Sequence, residues 1–360
     1  MSDKDCDRSP LAALVEERLK SLAGIKKPIV FTISSTAKIE PHGYVVPVRE
    51  YEDFVMLGCV LFSTFEIDEF VEIVDGNVAL LLVDAEKKAP LKESHFPDYD
   101  KETIGAFTTG NFPKRCFELF KKTVTREYKP NDLTVDAAWQ LISRSLGSLA
   151  GIRICIIGLG NIGSKLSLRF VECGASVNVY GRDFSKVHTI TQALNLIKPS
   201  GTIATITAHA SVENAAFRAN VIIGATNGIP VISDNVVRLL SPSCLIVDLG
   251  KGTIARSGML EAEKNRLTVF RTDVSNRLQH FVRCILEEVS LPAGELGMKR
   301  VEGYKFIAGG LLGADGDIVV DNLESPKRIY GIADGKGSIK EQVSIQVEER
   351  LIAVLKGSVS

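Results

Sequence analysis

Several residue types that mark specialised chemistry are scarce in this 360-residue chain. It has five histidines and one tryptophan, and none of its seven cysteines lies at Cys-x-x-Cys spacing. No histidine and cysteine cluster has metal-ligand spacing, so we expect no metal site. Cysteines that fall singly inside apolar runs are typical of reduced, buried thiols, which predicts a cytoplasmic protein.

An excess of one charge and long apolar runs are also missing. Lysine plus arginine number 43 and aspartate plus glutamate 44, which gives a net charge of −1. A nucleic-acid partner is therefore not predicted, because it requires a clustered basic surface. The longest apolar stretches, such as NVALLLV, are far below the ~20 residues that cross a bilayer, so no membrane partner is predicted. Residues 1–20 lack the apolar segment of a secretory signal.

The pattern of predicted secondary structure changes near Gly151. From there, apolar runs of strand length alternate with helical patterns, which predicts parallel strands joined by crossover helices. Six such strands predict an α/β fold with a doubly wound Rossmann sheet in residues 144–290. The chain is long enough for two domains. We expect a mixed α/β substrate domain in residues 1–143, with residues 291–360 packing back on it.

The stretch IIGLGNIGSKLSLRF, residues 156–170, opens this segment with three glycines. A strand pattern precedes it and a helix pattern follows, which is the context that a dinucleotide-binding fingerprint requires. The first glycine permits a tight turn, the second leaves room for a pyrophosphate, and the third lets the helix pack on the strand. The helix start offers N–H groups and a positive dipole end to phosphates. The predicted phosphate-binding residues are Gly158, Gly160, Asn161, Ile162 and Gly163.

The end of the second strand bears on the choice between NAD and NADP. NAD enzymes usually carry an acidic residue there, which binds the ribose hydroxyls. Here the sequence is VNVYGRDFSK, in which Arg182 follows Tyr180 and Gly181. An arginine pairs with a 2′-phosphate through bidentate, charge-assisted hydrogen bonds, so NADP is the favoured cofactor. NAD is the alternative, because a shift of one residue makes Asp183 the ribose-binding acid.

Three stretches resemble a known cofactor domain: LGSLAGIRICIIGLGNIGSKLSLRFVECGASVNVYGRD, ANVIIGATNGIPVIS and PSCLIVDLGKG. The domain is shared by methylenetetrahydrofolate dehydrogenases, S-adenosylhomocysteine hydrolases, D-2-hydroxyacid dehydrogenases and alanine dehydrogenases. The resemblance implies that four further residues line the cofactor, namely Thr226, Asn227, Leu249 and Gly250. The YGRD stretch also resembles the NADP-using dipicolinate synthase A and shikimate dehydrogenase. The chain lacks the Ala-Arg-Gly and Tyr-x-x-x-Lys motifs of individual members, so the resemblance gives the domain type and no single enzyme.

Hydride transfer requires a group that polarises or protonates a carbonyl or imine, placed on a loop at the carboxyl ends of the strands. Lys251, in DLGKGT, is predicted to lie on such a loop, and Asp248 either orients it or caps the strand. His280, in the helix after the sixth strand, is a second candidate proton donor. These three are the catalytic candidates. A lysine on the rim and a surface histidine are the alternatives.

A cation-rich segment of the first domain, SSTAKIEPHGYVVPVREYED, follows a predicted strand. Lys38, His42 and Arg49 are candidates for binding an anionic part of the substrate, and a solvated loop is the alternative.

Together these features predict an NAD(P)-dependent oxidoreductase that acts on a small polar molecule, such as a keto or imino acid. One alternative is a hydrolase or lyase that holds NAD tightly as a transient oxidant. The other is a dinucleotide sensor without turnover. The expected assembly is a homodimer.

Overall fold

The computed structural model describes residues 8–35, 43–86, 112–290, 297–308 and 310–357. The chain divides into two compact units, Met1–Cys284 and Ile285–Ser360. The first unit contains two sheets, which we call the N-terminal lobe and the six-stranded lobe. The domain boundaries inferred from the sequence, and the packing of residues 291–360 on the first domain, stay predictions.

The N-terminal lobe is a five-stranded sheet with short helices. Its elements are α1 (Pro10–Ser21), β1 (Ile29–Ser34), β2 (Tyr44–Glu50), β3 (Val55–Val60), a 3-10 helix (Thr64–Phe70), α2 (Val71–Val74), β4 (Leu80–Asp84), α3 (Phe112–Leu119) and β5 (Val124–Tyr128). The strand order is β2-β3-β1-β4-β5, and the neighbours are parallel except for the pair β2–β3. Strands β3 and β4 bury every residue, as expected for strands in a sheet covered on both faces.

Arg49, which the sequence places in a loop, lies in the edge strand β2. Its segment carries no buried apolar run, because five of the seven β2 residues are exposed. The register shifts between Val46 and Arg49, around Pro47. An edge strand tolerates proline there because one of its sides needs no hydrogen bonds.

The six-stranded lobe follows α4 (Pro130–Leu146), the helix that enters it from the N-terminal lobe. Its further elements are β6 (Arg153–Ile157), α5 (Asn161–Glu172), β7 (Ser176–Tyr180), α6 (Phe184–Ile197), β8 (Ile206–Ala208), α7 (Val212–Ala216), β9 (Val221–Gly224), α8 (Asp234–Val237), β10 (Leu245–Asp248), α9 (Arg256–Lys264), β11 (Thr268–Arg271) and α10 (Ser275–Ser290). All strand pairs are parallel, in the order β11-β10-β9-β6-β7-β8. Separate apolar clusters cover its two faces. The predicted six-stranded, doubly wound sheet is confirmed.

The second unit is a five-stranded mixed sheet with one helix. Its elements are β12 (Met298–Val301), β13 (Tyr304–Ile307), β14 (Asp315–Val320), β15 (Ile329–Asp334), β16 (Ile339–Glu341) and α11 (Ile345–Leu355). The strands lie in chain order, and within that sheet only β13 and β14 pair in parallel. Phe306, Val320 and Leu355 belong to its apolar core.

Candidate active site

The glycine-rich turn between β6 and α5 is fixed by close backbone contacts. Gly158 has φ +103°, in the left-handed region, and its N–H donates to the carbonyl of Tyr180 at 2.8 Å. A Cβ on Gly158 would lie 2.7 Å from the carbonyl oxygen of Ala225. A Cβ on Gly163 would lie 2.0 Å from the carbonyl oxygen of Gly158. The backbone path therefore requires glycine at both positions.

Gly160 differs, because a Cβ there would have no heavy atom of the described chain within 4 Å. Its φ of −86° is open to any residue, and it forms the N-cap of α5 without a side-chain hydrogen bond. No described residue accepts a hydrogen bond from the N–H groups of Asn161 and Ile162 in the first turn. Within the described part of the chain, the turn thus leaves donors and a positive helix end free for a ligand, which fits a phosphate-bearing molecule.

We expect Gly163→Ala to destabilise the fold, because its methyl group would overlap a backbone oxygen. Overpacking of this kind costs about 1–3 kcal/mol, and a backbone neighbour has little room to move. Urea unfolding checks this against Gly201→Ala, whose added methyl group would meet no atom within 4 Å. Equal stabilities of the two variants would contradict the close packing of α5 on β6.

The two residues that bear on cofactor choice have different surroundings. Asp183 is the N-cap of α6, and its Oδ1 accepts from the Lys186 N–H at 3.0 Å. Arg182 is exposed and makes no hydrogen bond or ion pair to the described residues. The carboxylate is therefore engaged in a helix cap, whereas the guanidinium is available to a ligand.

The loops after β9 and β10 lie together at the same carboxyl edge of the sheet as the glycine turn. Thr226 Oγ1 donates to the carbonyl of Ile229 at 2.8 Å, and a Cβ on Gly250 would lie 1.7 Å from the Thr226 carbonyl oxygen. Leu249 donates its N–H to the carbonyl of Gly224 at 2.9 Å. Asn227 is exposed beside them. The predicted cofactor-lining residues of both loops are thus brought together.

Asp248 holds the β10 loop in shape. Its carboxylate, 4% exposed, accepts from the Gly252 N–H at 2.9 Å and the Thr253 hydroxyl at 2.8 Å, and pairs with Arg271 at 3.4 Å. Burial alone would raise the pKa of Asp248, but these hydrogen bonds and Arg271 lower it below its ordinary value. Lys251 lies within the loop, exposed and at φ +55°.

His280 is exposed on α10, with Nε2 3.8 Å from the Cys284 sulfur. Its helix also packs on the N-terminal lobe, where the rings of Phe281 and Tyr128 lie 6.5 Å apart. Among the described residues, no hydrogen bond joins His280 to Lys251 or Asp248. The three catalytic candidates are therefore not brought into one hydrogen-bonded group.

Of the three substrate-binding candidates, Arg49 lies within the described residues. Lys38 and His42 lie outside the described residues. Arg49 is exposed on β2 and lies near Asp273, which follows β11. Hydrogen bonds from Ser275 and the charge of Arg49 lower the pKa of Asp273. Arg49 therefore faces the six-stranded lobe.

A polar group lies at the carboxyl edge of the N-terminal sheet, and the sequence pattern did not single out two of its members, Tyr128 and Ser34. Asp84 is fully buried at the end of β4, and in the ladder it pairs with Tyr128 at the end of β5. Burial and the Asp84 charge raise the pKa of Tyr128, against the effect of its hydrogen bond with Ser34 at the end of β1. The strand order reverses between β1 and β4, and open α/β sheets bind ligands at such a point. Polar residues that directly follow a buried apolar run are the sequence signal that could indicate such a group.

This edge lies against the glycine turn. Glu86, just after β4, accepts from the Asn131 N–H and pairs with Lys165 of α5 at 3.3 Å. Asn131 in turn donates its side-chain N–H to Asn161 Oδ1 at 3.3 Å. The carboxyl ends of the two sheets of the first unit therefore meet at the start of α5.

The family comparison agrees with this geometry. Residues 153–275 match the family model of the NAD binding domain of 6-phosphogluconate dehydrogenase. Residues 153–275 form an NAD(P)-binding Rossmann domain. The matched domain is of the type found in oxidoreductases, and the match supports a nicotinamide dinucleotide as its ligand.

Solved structures with detectable similarity include the A chain of dipicolinate synthase from Bacillus subtilis, at 12% identity and a TM-score of 0.34. That match covers 74% of this chain and 97% of the other. Glutamyl-tRNA reductase from Methanopyrus kandleri is 22% identical over 43% of this chain and 38% of its own, with a TM-score of 0.32. At these levels the similarities carry no functional argument. A search of curated protein sequences gave no match.

In the described ranges, no three His, Cys, Asp or Glu side chains are grouped so as to hold a metal ion. No helix in the same ranges is both long and apolar enough to cross a membrane.

Asp248→Asn tests how the β10 loop of the Rossmann domain is held. We expect a loss of about 1–3 kcal/mol in the free energy of unfolding near neutral pH, because the variant loses charge-assisted hydrogen bonds. The carboxylate contributes stability above its unfolded pKa of about 3.9, and this contribution is lost as the pH falls through the lower folded pKa. The difference between wild type and variant in urea unfolding should therefore shrink in acid.

The matched control is Asp183→Asn, which keeps an equally good helix cap. Its free energy of unfolding should equal that of the wild type both near neutral pH and in acid. A difference for Asp248→Asn that stays constant through the acid range would contradict the assignment.

Proposed function

We propose that this protein is an NAD(P)-dependent oxidoreductase that transfers hydride to or from a small polar substrate, with NADP as the favoured cofactor. The observation that carries the proposal is the open glycine turn at Gly160, set against the polar edge of a second sheet. The family match supports a dinucleotide at that turn. The adjoining edge would supply polar groups to a substrate.

The cofactor would be held by groups with separate tasks. The N–H groups at the start of α5 would bind the pyrophosphate, and the loops after β9 and β10 would line the nicotinamide half. Arg182 would bind the 2′-phosphate of NADP, because its guanidinium has no partner in the described residues. The helix-capping role of Asp183 weighs against its use as a ribose-binding acid.

When bound, the nicotinamide would donate or accept the hydride. Lys251 would place its ammonium beside the reacting carbonyl or imine and stabilise negative charge on it. The left-handed backbone of Lys251 supports this role, because such conformations cluster at functional sites. Asp248 would position the loop, and His280 stays the second candidate proton donor. Lys38, His42 and Arg49 would bind an anionic part of the substrate.

Tyr128, Asp84 and Ser34 would form the polar wall on the substrate side. Because its pKa is raised, Tyr128 keeps its proton at neutral pH and serves as a hydrogen-bond donor or acceptor without acting as a base. The proposed substrate is therefore a small molecule with oxygen or nitrogen functions. The homodimer and the cytoplasmic location stay predictions.

The test is turnover of NADPH with a panel of 2-keto acids, with and without ammonia, for wild type and Lys251→Met. We expect consumption with at least one substrate and a loss of roughly 100-fold in kcat for the variant. Its dinucleotide affinity should be unchanged. Lys264→Met, which removes an exposed lysine of α9, is the control.

Two outcomes would count against the proposal. Dinucleotide binding without consumption across the panel would favour a sensor instead of an enzyme. Equal kcat values for Lys251→Met and Lys264→Met would remove Lys251 from the site.

A further inference from the structure

A pocket of about 460 Å³ lies between α4 and the segment that joins β11 to α10. Its volume is within the usual range for small-molecule sites. None of its lining residues belongs to the glycine turn or to the loops after β9 and β10. Its lining therefore contains none of the predicted dinucleotide-binding residues, and it borders the β10 loop through the pair of Arg271 with Asp248.

The lining of this pocket is strongly cationic. Arg144, Arg271 and Arg277 contribute three guanidinium groups, and Asp273 contributes the one carboxylate of the described lining. That carboxylate accepts a hydrogen bond from the Ser275 N–H at 2.9 Å. With three arginines and one aspartate, the lining has a net charge of +2.

The arginines differ in their partners. Arg271 is paired with Asp248 at 3.4 Å, whereas Arg144 and Arg277 make no hydrogen bond or ion pair to any described residue. The Nε atom of Arg277 is moreover buried without a hydrogen-bond partner. A buried donor on a charged group is costly when it has no acceptor, and such groups are commonly satisfied by a bound ion or water.

We propose that this pocket binds a small anion, bearing a carboxylate or phosphate group, through Arg144 and Arg277. The planar guanidinium is suited to both groups, because its N–H donors match two oxygens at once. The pocket also lies between the two chain connections that join the lobes of the first unit, α4 and the β11–α10 segment. A bound anion links these connections and stabilises the folded chain. This site goes beyond the proposed function and does not depend on it.

The experiment uses the full chain with two probes, inorganic phosphate and malonate, titrated by calorimetry at constant low ionic strength. We expect millimolar or tighter binding of at least one probe, and the preferred probe identifies the anionic group. The double variant Arg144→Gln/Arg277→Gln should weaken binding at least roughly 10-fold, because it removes the charge-assisted hydrogen bonds of two guanidinium groups to the anion. The double control Arg256→Gln/Arg266→Gln removes two exposed arginines elsewhere and should bind like the wild type.

Thermal unfolding gives an independent readout. The preferred probe should raise Tm in the wild type through linkage of binding and folding, and the rise should be absent in the double variant. The double variant should still bind NADPH, which separates this test from that of the proposed function. The proposal is overturned if the wild type binds neither probe, or if the double variant and its control bind the probes equally well. It is also overturned if Gly160→Ala abolishes probe binding, because the anion would then bind at the glycine turn.

Discussion

Gly160→Ala should weaken dinucleotide binding at least roughly 10-fold while the protein stays folded. The added methyl group meets no protein atom within 4 Å and the φ of −86° suits alanine. The same methyl group would occupy the space through which a pyrophosphate approaches the backbone. Displacing even one charge-assisted hydrogen bond, about 1.5–3 kcal/mol, accounts for a change of this size. Calorimetric titration with NADPH gives the affinity.

Stability and binding should separate in this variant. Replacing an N-cap glycine by alanine costs about 1 kcal/mol or less, so urea unfolding should change little. Gly163→Ala, at the third glycine, should instead lose stability because its methyl group overlaps a backbone oxygen. If Gly160→Ala bound NADPH as tightly as the wild type, the open turn would not be the phosphate site.

Arg182→Ala should reverse or abolish the preference for NADPH over NADH. The guanidinium has no partner among the described residues, so its loss removes contacts to a 2′-phosphate and little else. We expect NADPH affinity to fall by roughly 10- to 100-fold, in line with about 1.5–3 kcal/mol for a charge-assisted bond. NADH affinity should be unchanged. Titration of both dinucleotides into wild type and variant gives the four dissociation constants.

Lys186→Ala is the matched control, because it removes another exposed cation four residues along the chain, in the first turn of α6. It should leave the ratio of the two affinities near the wild-type value. A wild type that prefers NADH, with a preference lost in Asp183→Ala, would make the acid the selector and remove that role from Arg182.

The six-stranded sheet was predictable because its central strands β6, β9 and β10 are short buried runs that lie between helices in the sequence. Strand β8 is harder to predict, because it contains only three residues, Ile206–Ala208. Ile203, just before it, is apolar yet 95% exposed, so apolar character there does not indicate burial. In the second unit, Gly331 has φ +141° within β15 and the ladder with β14 shifts register. Strands with such irregularities do not alternate regularly between buried and exposed residues, so their sequences lack the alternating pattern that predicts a strand.

The candidate site divides in the same way. The glycine turn and the loops after β9 and β10 are local sequence signals, and the structure brings them together. Tyr128 and Asp84 lie next to each other only because β4 pairs with β5. The register of that pairing cannot be predicted from the local sequence. Arg144 and Arg277 likewise line one pocket only through the packing of α4 beside α10. Contacts between residues far apart in the chain are therefore the part of the site that local sequence patterns do not predict.

The most direct measurement is a calorimetric titration of the full chain with NADPH and, separately, with NADH. The account holds if at least one of them binds at one site per chain with micromolar or tighter affinity and if Gly160→Ala weakens that binding. It is contradicted if neither dinucleotide produces a binding isotherm with the folded wild-type protein.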